Sequence, residues 1–305
     1  MATARASCVA RTRPKIADLE HCVLAQKLLL FGCSNPDLMR KYFFICSLVG
    51  IFGALQAQNV RLPGLMPTVS VTLPITKKLD FNFTTFLVAN ITNERVRDIS
   101  YPAQGRLMLV QPSVIYRFSP NLNVAASWAY IISNPLTANY GNISCPWQQV
   151  TYSHRLGGGR MYHRLRFESL FVQKARTNVW PFSSRLRYQI GFTMPIQGNT
   201  LETNEFYVNA NHESFINTGG KNITTFSESW NYAGIGYTVS ERSKVELGFM
   251  NMSRIRNAAF DNMVYNSLQI SYFVNFFARA SPTAKSAQPV SKKSENIHFK
   301  SWPPN

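Results

Sequence analysis

The sequence predicts an all-β protein: an antiparallel up-and-down transmembrane β-barrel of about 10–12 strands, with 12 preferred because bacterial barrels of one chain have an even count. Three observations predict it. The stretches MYHRLRFESL (161–170) and SSRLRYQIGF (183–192) set arginines at every second position with large apolar residues between. That spacing scatters the arginines around a helix but puts them on one face of a strand. From about 67 to 277 the chain runs as one Val/Ile/Phe/Tyr/Thr-rich segment after another, bounded by Gly, Pro, Asn and Ser, with no amphipathic helix. The connections then alternate in length, as they do in outer-membrane barrels.

The predicted strands, in order, are 67–75, 79–90, 105–118, 121–132, 143–155, 160–172, 182–196, 201–213, 224–238, 243–254 and 264–277. Short turns are expected at Lys77-Lys78, Ser119-Pro120, Gly157-Gly158-Gly159, Gly198-Asn199 and Ser240-Glu241-Arg242. Longer polar loops are expected at 91–104, 133–142, 173–181, 214–223 and 255–263. These segments number eleven, so QNVRLPGLM (58–66) is the candidate for a further first strand, unless one strand is split or missed. In the last segment Leu268, Ile270, Tyr272, Val274 and Phe276 alternate with Gln269, Ser271, Phe273 and Asn275. An amphipathic closing strand with a terminal aromatic, here Tyr272, Val274 and Phe276, is like the signal read by the barrel-assembly machinery. The tail 278–305 is rich in Ser, Pro and Lys and is expected to be disordered.

Ahead of the strands, YFFICSLVGIFGALQA (42–57) follows the basic MRK at 39–41 and ends in small residues. A basic start, an apolar core and a small residue at the cut describe a secretory signal peptide over 39–57. Met39 is then the expected start, and 1–38 an over-extended, unstructured leader. Four of the five cysteines lie within 1–57, which leaves Cys145 without an internal disulfide partner. The formal charge of the 305-residue chain is +17. Without 1–57, which hold seven of the Lys and Arg and three of the Asp and Glu, it falls to +13. Export argues against nucleic acid as the partner of this charge. The expected partners are outer-membrane lipid and lipopolysaccharide, with no protein partner, cofactor or metal indicated.

The ordered run of QPSVIYRFSPNLNVAASWAY, CPWQQVTYSHRL, YHRLRFE, SRLRYQIGFTMPI, NEFYVN and YAGIGYTVSERSKVELGFM resembles the bacterial family called domain of unknown function 2490. The resemblance covers about 67–277. It implies a Gram-negative, Bacteroidetes-like outer-membrane barrel and no established activity.

In a barrel the arginine strands are neighbours, which brings Arg164 and Arg166 close to Arg187 and Arg185. Like charges opposite each other on a sheet are unfavourable. Glu168 shares their face, and Glu205, Asn209, Asn211, Glu213, Glu228 and Glu246 have the parity to do so. The expectation is a lumen crossed by an Arg/Glu/Asn network. It either plugs and braces the barrel or, porin-like, passes anionic solutes. Aromatic girdles are expected from Trp128, Tyr130, Tyr152, Tyr188, Trp230, Tyr232, Tyr237, Tyr265 and Tyr272.

Catalysis is not expected. Outer-membrane phospholipases are barrels with a Ser-His pair on the outer wall, but Ser153 and His154 are adjacent and face opposite ways. No His-x-Ser arrangement with an Asn or Asp to orient it stands out. The alternatives kept open are an outer-membrane lipid hydrolase and a soluble exported β-sandwich that binds a ligand.

Overall fold

The computed structural model describes residues 59–96, 99–138, 140–174, 177–198, 201–220, 225–255 and 262–276. The chain divides into two units, 1–56 and 57–305, and all described residues belong to the second. The expectations for a leader, a signal peptide and a disordered tail lie outside the described residues.

Thirteen strands follow one another: β1 (Asn59–Pro74), β2 (Leu79–Asn90), β3 (Glu94–Val96), β4 (Ile99–Tyr101), β5 (Gly105–Arg117), β6 (Leu122–Ser133), β7 (Gly141–Leu156), β8 (Gly159–Val172), β9 (Phe182–Pro195), β10 (Phe206–Gly219), β11 (Phe226–Ser240), β12 (Ser243–Ile255) and β13 (Asn262–Asn275). β3 and β4 form a small hairpin inside the 91–104 loop, which the sequence did not suggest. The other eleven close into a barrel in the order β1-β13-β12-β11-β10-β9-β8-β7-β6-β5-β2. Every neighbouring pair is antiparallel except β1 and β13, which run parallel from Asn59↔Asn262 to Thr72↔Asn275. The count lies within the predicted range and one short of the preferred twelve. Residues 59–66 are not a separate strand; they extend β1 to 16 residues. With an odd number of strands in a meander, the first and last must point the same way, so the seam is parallel.

Alternation organises the wall. On β8, Arg164 and Arg166 are 1% and 4% exposed, while Leu165 and Phe167 between them are 47% and 41% exposed. The pattern repeats on β12, where Leu247 and Phe249 face out between Glu246 and Met250, and on β13, where Leu268, Ile270 and Tyr272 face out between Ser267, Gln269 and Ser271. Strands of 12–16 residues, tilted by about 40°, rise roughly 30–40 Å, enough to clear an apolar band of about 25 Å.

Inside, the barrel is packed. Met66, Val88, Tyr232, Met250 and Met252 form one apolar cluster, and Ile115, Ala129, Cys145, Trp147 and Leu170 belong to another. Between β1, β2 and β5 the lining is short and polar. Asn82 Nδ2 donates to Ser70 Oγ and Thr72 Oγ1, each at 3.0 Å, and Thr84 Oγ1 donates to Asn82 Oδ1 at 2.9 Å. These short side chains leave the interior volume to the long arginines of β8 and β9.

The connections at 75–78, 118–121, 157–158 and 241–242 lie at one end of the barrel, the short-turn end. One expected short turn, at Gly198-Asn199, is instead a ten-residue connection over 196–205, because β10 starts only at Phe206. β2, β6, β8, β10 and β12 all finish at the other end, the loop end.

Candidate functional site

The register decides how the charges meet. β8 and β9 pair Arg166 with Arg187, Glu168 with Arg185, and Arg164 with Gln189. Only one arginine pair stands directly opposite, not two, because the register is offset by two residues from the one expected. Glu168 is thereby seated among three arginines. It accepts from Arg185 Nε, from Arg187 Nη1 at 2.7 Å, and stands 3.6 Å from Arg166 Nη1. From β10, Glu213 accepts from Arg187 Nη2 at 2.6 Å and from Arg164 Nη2 at 2.9 Å. Arg166 also donates to Gln149 Oε1 at 2.8 Å and lies over the Trp147 ring, 4.0 Å from its centroid. Arg187 lies 4.3 Å over Phe215 and 5.2 Å from the Trp230 centroid. Cations at such distances over aromatic faces are attracted by the ring quadrupole.

Glu228 continues the web toward the loop end, 3.7 Å from Arg185 and 3.3 Å from the exposed Arg254. Glu246 forms a second centre. It accepts from Tyr207 Oη at 2.7 Å, Tyr232 Oη at 3.0 Å and Asn209 Nδ2 at 3.2 Å. Asn211 accepts from Gln189 Nε2 at 2.9 Å. Glu205 stands apart from the lumen: it belongs to the 196–205 connection, and its carboxylate accepts the Glu202 backbone N–H at 3.0 Å.

The tyrosines of the second centre are seated on glycines. A Cβ on Gly236 would overlap the Tyr207 ring, and one on Gly248 would meet Tyr232 at 2.6 Å. Gly236→Val is therefore expected to unseat Tyr207 from Glu246 and destabilise the barrel by about 1–3 kcal/mol, the usual range for overpacking. The urea midpoint of unfolding in detergent measures it.

Of the aromatics expected in girdles, Trp128, Tyr130, Tyr152, Tyr188 and Tyr272 are exposed on the wall, whereas Tyr232 is buried in the lumen and Trp230 packs against the buried Phe215. On β7 and β8, Ser153 points inward and bonds Arg160, while His154 stacks outside against His163. The two are on opposite faces, as adjacent strand residues must be.

A second polar constellation, missed in the sequence, lies on the outer wall. Glu213 and Phe215 are buried in the lumen, so His212 and Ser214 project outward. His212 Nε2 is 2.8 Å from Ser214 Oγ, and His212 Nδ1 is 2.7 Å from Asn231 Oδ1 on β11. Asn231 Nδ2 donates to Asn251 Oδ1 and to Ser229 Oγ, each at 3.4 Å, and Asn251 Nδ2 donates to Asn266 Oδ1 at 2.8 Å. The register sets His212, Asn231, Asn251 and Asn266 in one row across four strands. Ser214, Ser229 and Ser253 form the next row toward the loop end. The signal in the sequence is His-Glu-Ser at 212–214, two residues of like parity in a strand. Beside it, a shallow apolar groove crosses the wall from β5 to β9, lined by Val114, Val124, Val150, Leu165, Phe167 and Leu186 among others.

Among the described residues, no group of three or more His, Cys, Asp or Glu is arranged to hold a metal ion. No curated protein and no solved structure matches the chain. One family model does, over residues 68–264. That span takes in nine of the eleven wall strands whole, the second part of β1 and the start of β13, with every arginine and glutamate of the lumen web. The chain belongs to the family described as Protein of unknown function (DUF2490).

Proposed function

We propose that the chain is an outer-membrane β-barrel whose interior is braced shut and whose work is done at its lipid-facing wall. The observation that carries this is the division between the two faces. Large apolar side chains stand exposed around the outside, while Arg164, Arg166, Glu168, Arg185, Arg187 and Glu213 of β8, β9 and β10 are paired inside. Water solubility does not call for such an exterior, and hydrocarbon does. In this reading the short-turn end faces the periplasm, the loop end the cell exterior, and 39–57 directs export. The partners are outer-membrane lipid and lipopolysaccharide, with the barrel-assembly machinery engaged during insertion.

A passage for anions needs arginines turned toward water. Here Arg164 and Arg187 are 1% and 7% exposed, and both donate to Glu213. Paired, desolvated arginines favour the brace. The test is the detergent-purified protein, with heated and unheated samples compared on SDS gels and then assayed in planar bilayers. A heat-dependent mobility shift without channel conductance is expected. Steady anion-selective conductance would restore the passage, and solubility without detergent would remove the membrane.

A further inference from the structure

We infer that Ser214, His212 and Asn231 form a nucleophile, base and orienting group for hydrolysis of membrane lipid esters at the outer wall. The inference rests on the wall facing lipid. Three observations carry it.

The first is the chain of contacts. A weak hydroxyl nucleophile needs a base within hydrogen-bond reach, and that base needs a third group to hold it. Ser214, His212 and Asn231 meet both distances, at 2.8 and 2.7 Å. The second is the tautomer. Asn231 spends its Nδ2 on Asn251 and Ser229, which leaves its Oδ1 for His212 Nδ1. The imidazole then carries its proton on Nδ1, and Nε2 is the acceptor facing the Ser214 hydroxyl. An amide row reaching to Asn266 fixes this orientation.

The third is the setting on the wall. On the short-turn side of the row the wall is apolar: Ile235, Phe249 and Leu268 are 45–55% exposed. On the loop side come Ser214, Ser229 and Ser253, and beyond them Ile216 and the exposed Phe226. Polar side chains facing the hydrocarbon of a barrel are unfavourable, so a row of His and Asn between apolar belts is a costly arrangement for bracing alone. The groove that ends at Leu186 offers an adjacent apolar bed for an acyl chain; Leu186 pairs with Ile216, two residues from Ser214.

The chemistry balances with water as co-reactant. Ser214 Oγ adds to the ester carbonyl carbon as its proton passes to His212 Nε2. The carbon–oxygen bond to the lipid alcohol breaks, and that proton goes to the leaving oxygen, releasing a lysolipid. Water then adds to the acyl-serine and gives its proton to His212. The serine bond breaks, the proton returns to Ser214 Oγ, and a fatty acid departs. Ser229, across the ladder from Ser214, supplies a hydroxyl on the same face for the developing oxyanion. Asn231 is a positioning residue.

The test uses the full chain in mixed micelles with dioleoylphosphatidylethanolamine, measuring oleate release, alongside labelling by a fluorophosphonate probe. Release is expected, with label mapped to Ser214. Ser214→Ala and His212→Ala are each expected to lower release by roughly a thousandfold. Asn231→Ala should lower kcat by on the order of a hundredfold with KM little changed, and Asn231→Asp should recover most of it. Each variant is checked for the heat-dependent mobility shift of the wild type. A folded wild-type barrel that neither releases oleate nor takes the label overturns the site. Release that survives Ser214→Ala does the same, and turnover of p-nitrophenyl acetate without phospholipid overturns the substrate class. Loss of the mobility shift in the wild type would instead remove the membrane barrel on which the site rests.

Discussion

Glu168→Leu is expected to lower the unfolding free energy of the barrel by about 3–5 kcal/mol, the cost of removing one partner from a buried charge network. Glu168 is 1% exposed and meets Arg166, Arg185 and Arg187 at once. Without it, Arg187 keeps Glu213 and Arg185 keeps Glu228, but Arg166 and Arg187 still face each other across the ladder. Leucine restores neither charge nor hydrogen bond. The comparison is Glu228→Gln: its carboxylate stands 3.3 Å from Arg254, 65% exposed in its side chain, and 3.7 Å from Arg185, which keeps Glu168, so this loss should cost less, about 1–2 kcal/mol. Urea titration of the folded band in detergent measures both. Equal costs for the two would show that the web does not brace the wall.

Leu247→Arg separates a lipid-facing wall from a water-facing one. Leu247 is 53% exposed and lies near the middle of β12. Against hydrocarbon an arginine there costs about 2–4 kcal/mol, falling toward zero at the interfaces. In water the same surface change is worth less than about 0.5 kcal/mol. Folding yield into phospholipid vesicles and the urea midpoint after insertion are both expected to fall. A variant that inserts and unfolds like the wild type would put the β12 face in water.

Strand positions were legible wherever one face of the wall is apolar and the other polar. β2, β5, β8, β9 and β12 were located to within a residue or so for that reason. β10 was misplaced: 201–213 was expected and Phe206–Gly219 is observed. In its C-terminal half both faces are mixed. Glu213 and Phe215 point in, His212 and Ser214 point out, and alternation of apolar with polar residues disappears. Ser214 fell into a supposed loop while His212 stayed in the expected strand, which split the His-x-Ser pair. The irregularity that blurred the strand and the chemistry that makes it interesting are one feature. Parity alone showed which charged residues share the lumen, since parity is local to a strand. It could not show that Glu168 sits opposite Arg185, because register depends on turn lengths and on the whole closure. The absent twelfth strand has the same origin: 58–66 reads as strand, and only pairing shows that it continues β1 without a turn.

The parallel seam has a consequence for sidedness. β1 and β13 both begin at the loop end. In a barrel with an even count, a chain that starts on one side of the membrane also finishes there. Here Asn59 opens at the loop end and Asn275 closes at the short-turn end. On the proposed outer-membrane reading the two ends of the wall would report different compartments: a tag just ahead of Asn59 is expected to be displayed to antibody on intact cells, and a tag behind Phe276 to stay hidden until the envelope is opened. On the proposed membrane reading, assembly would carry the leading end of the chain across the bilayer, a threading step that even-numbered barrels avoid.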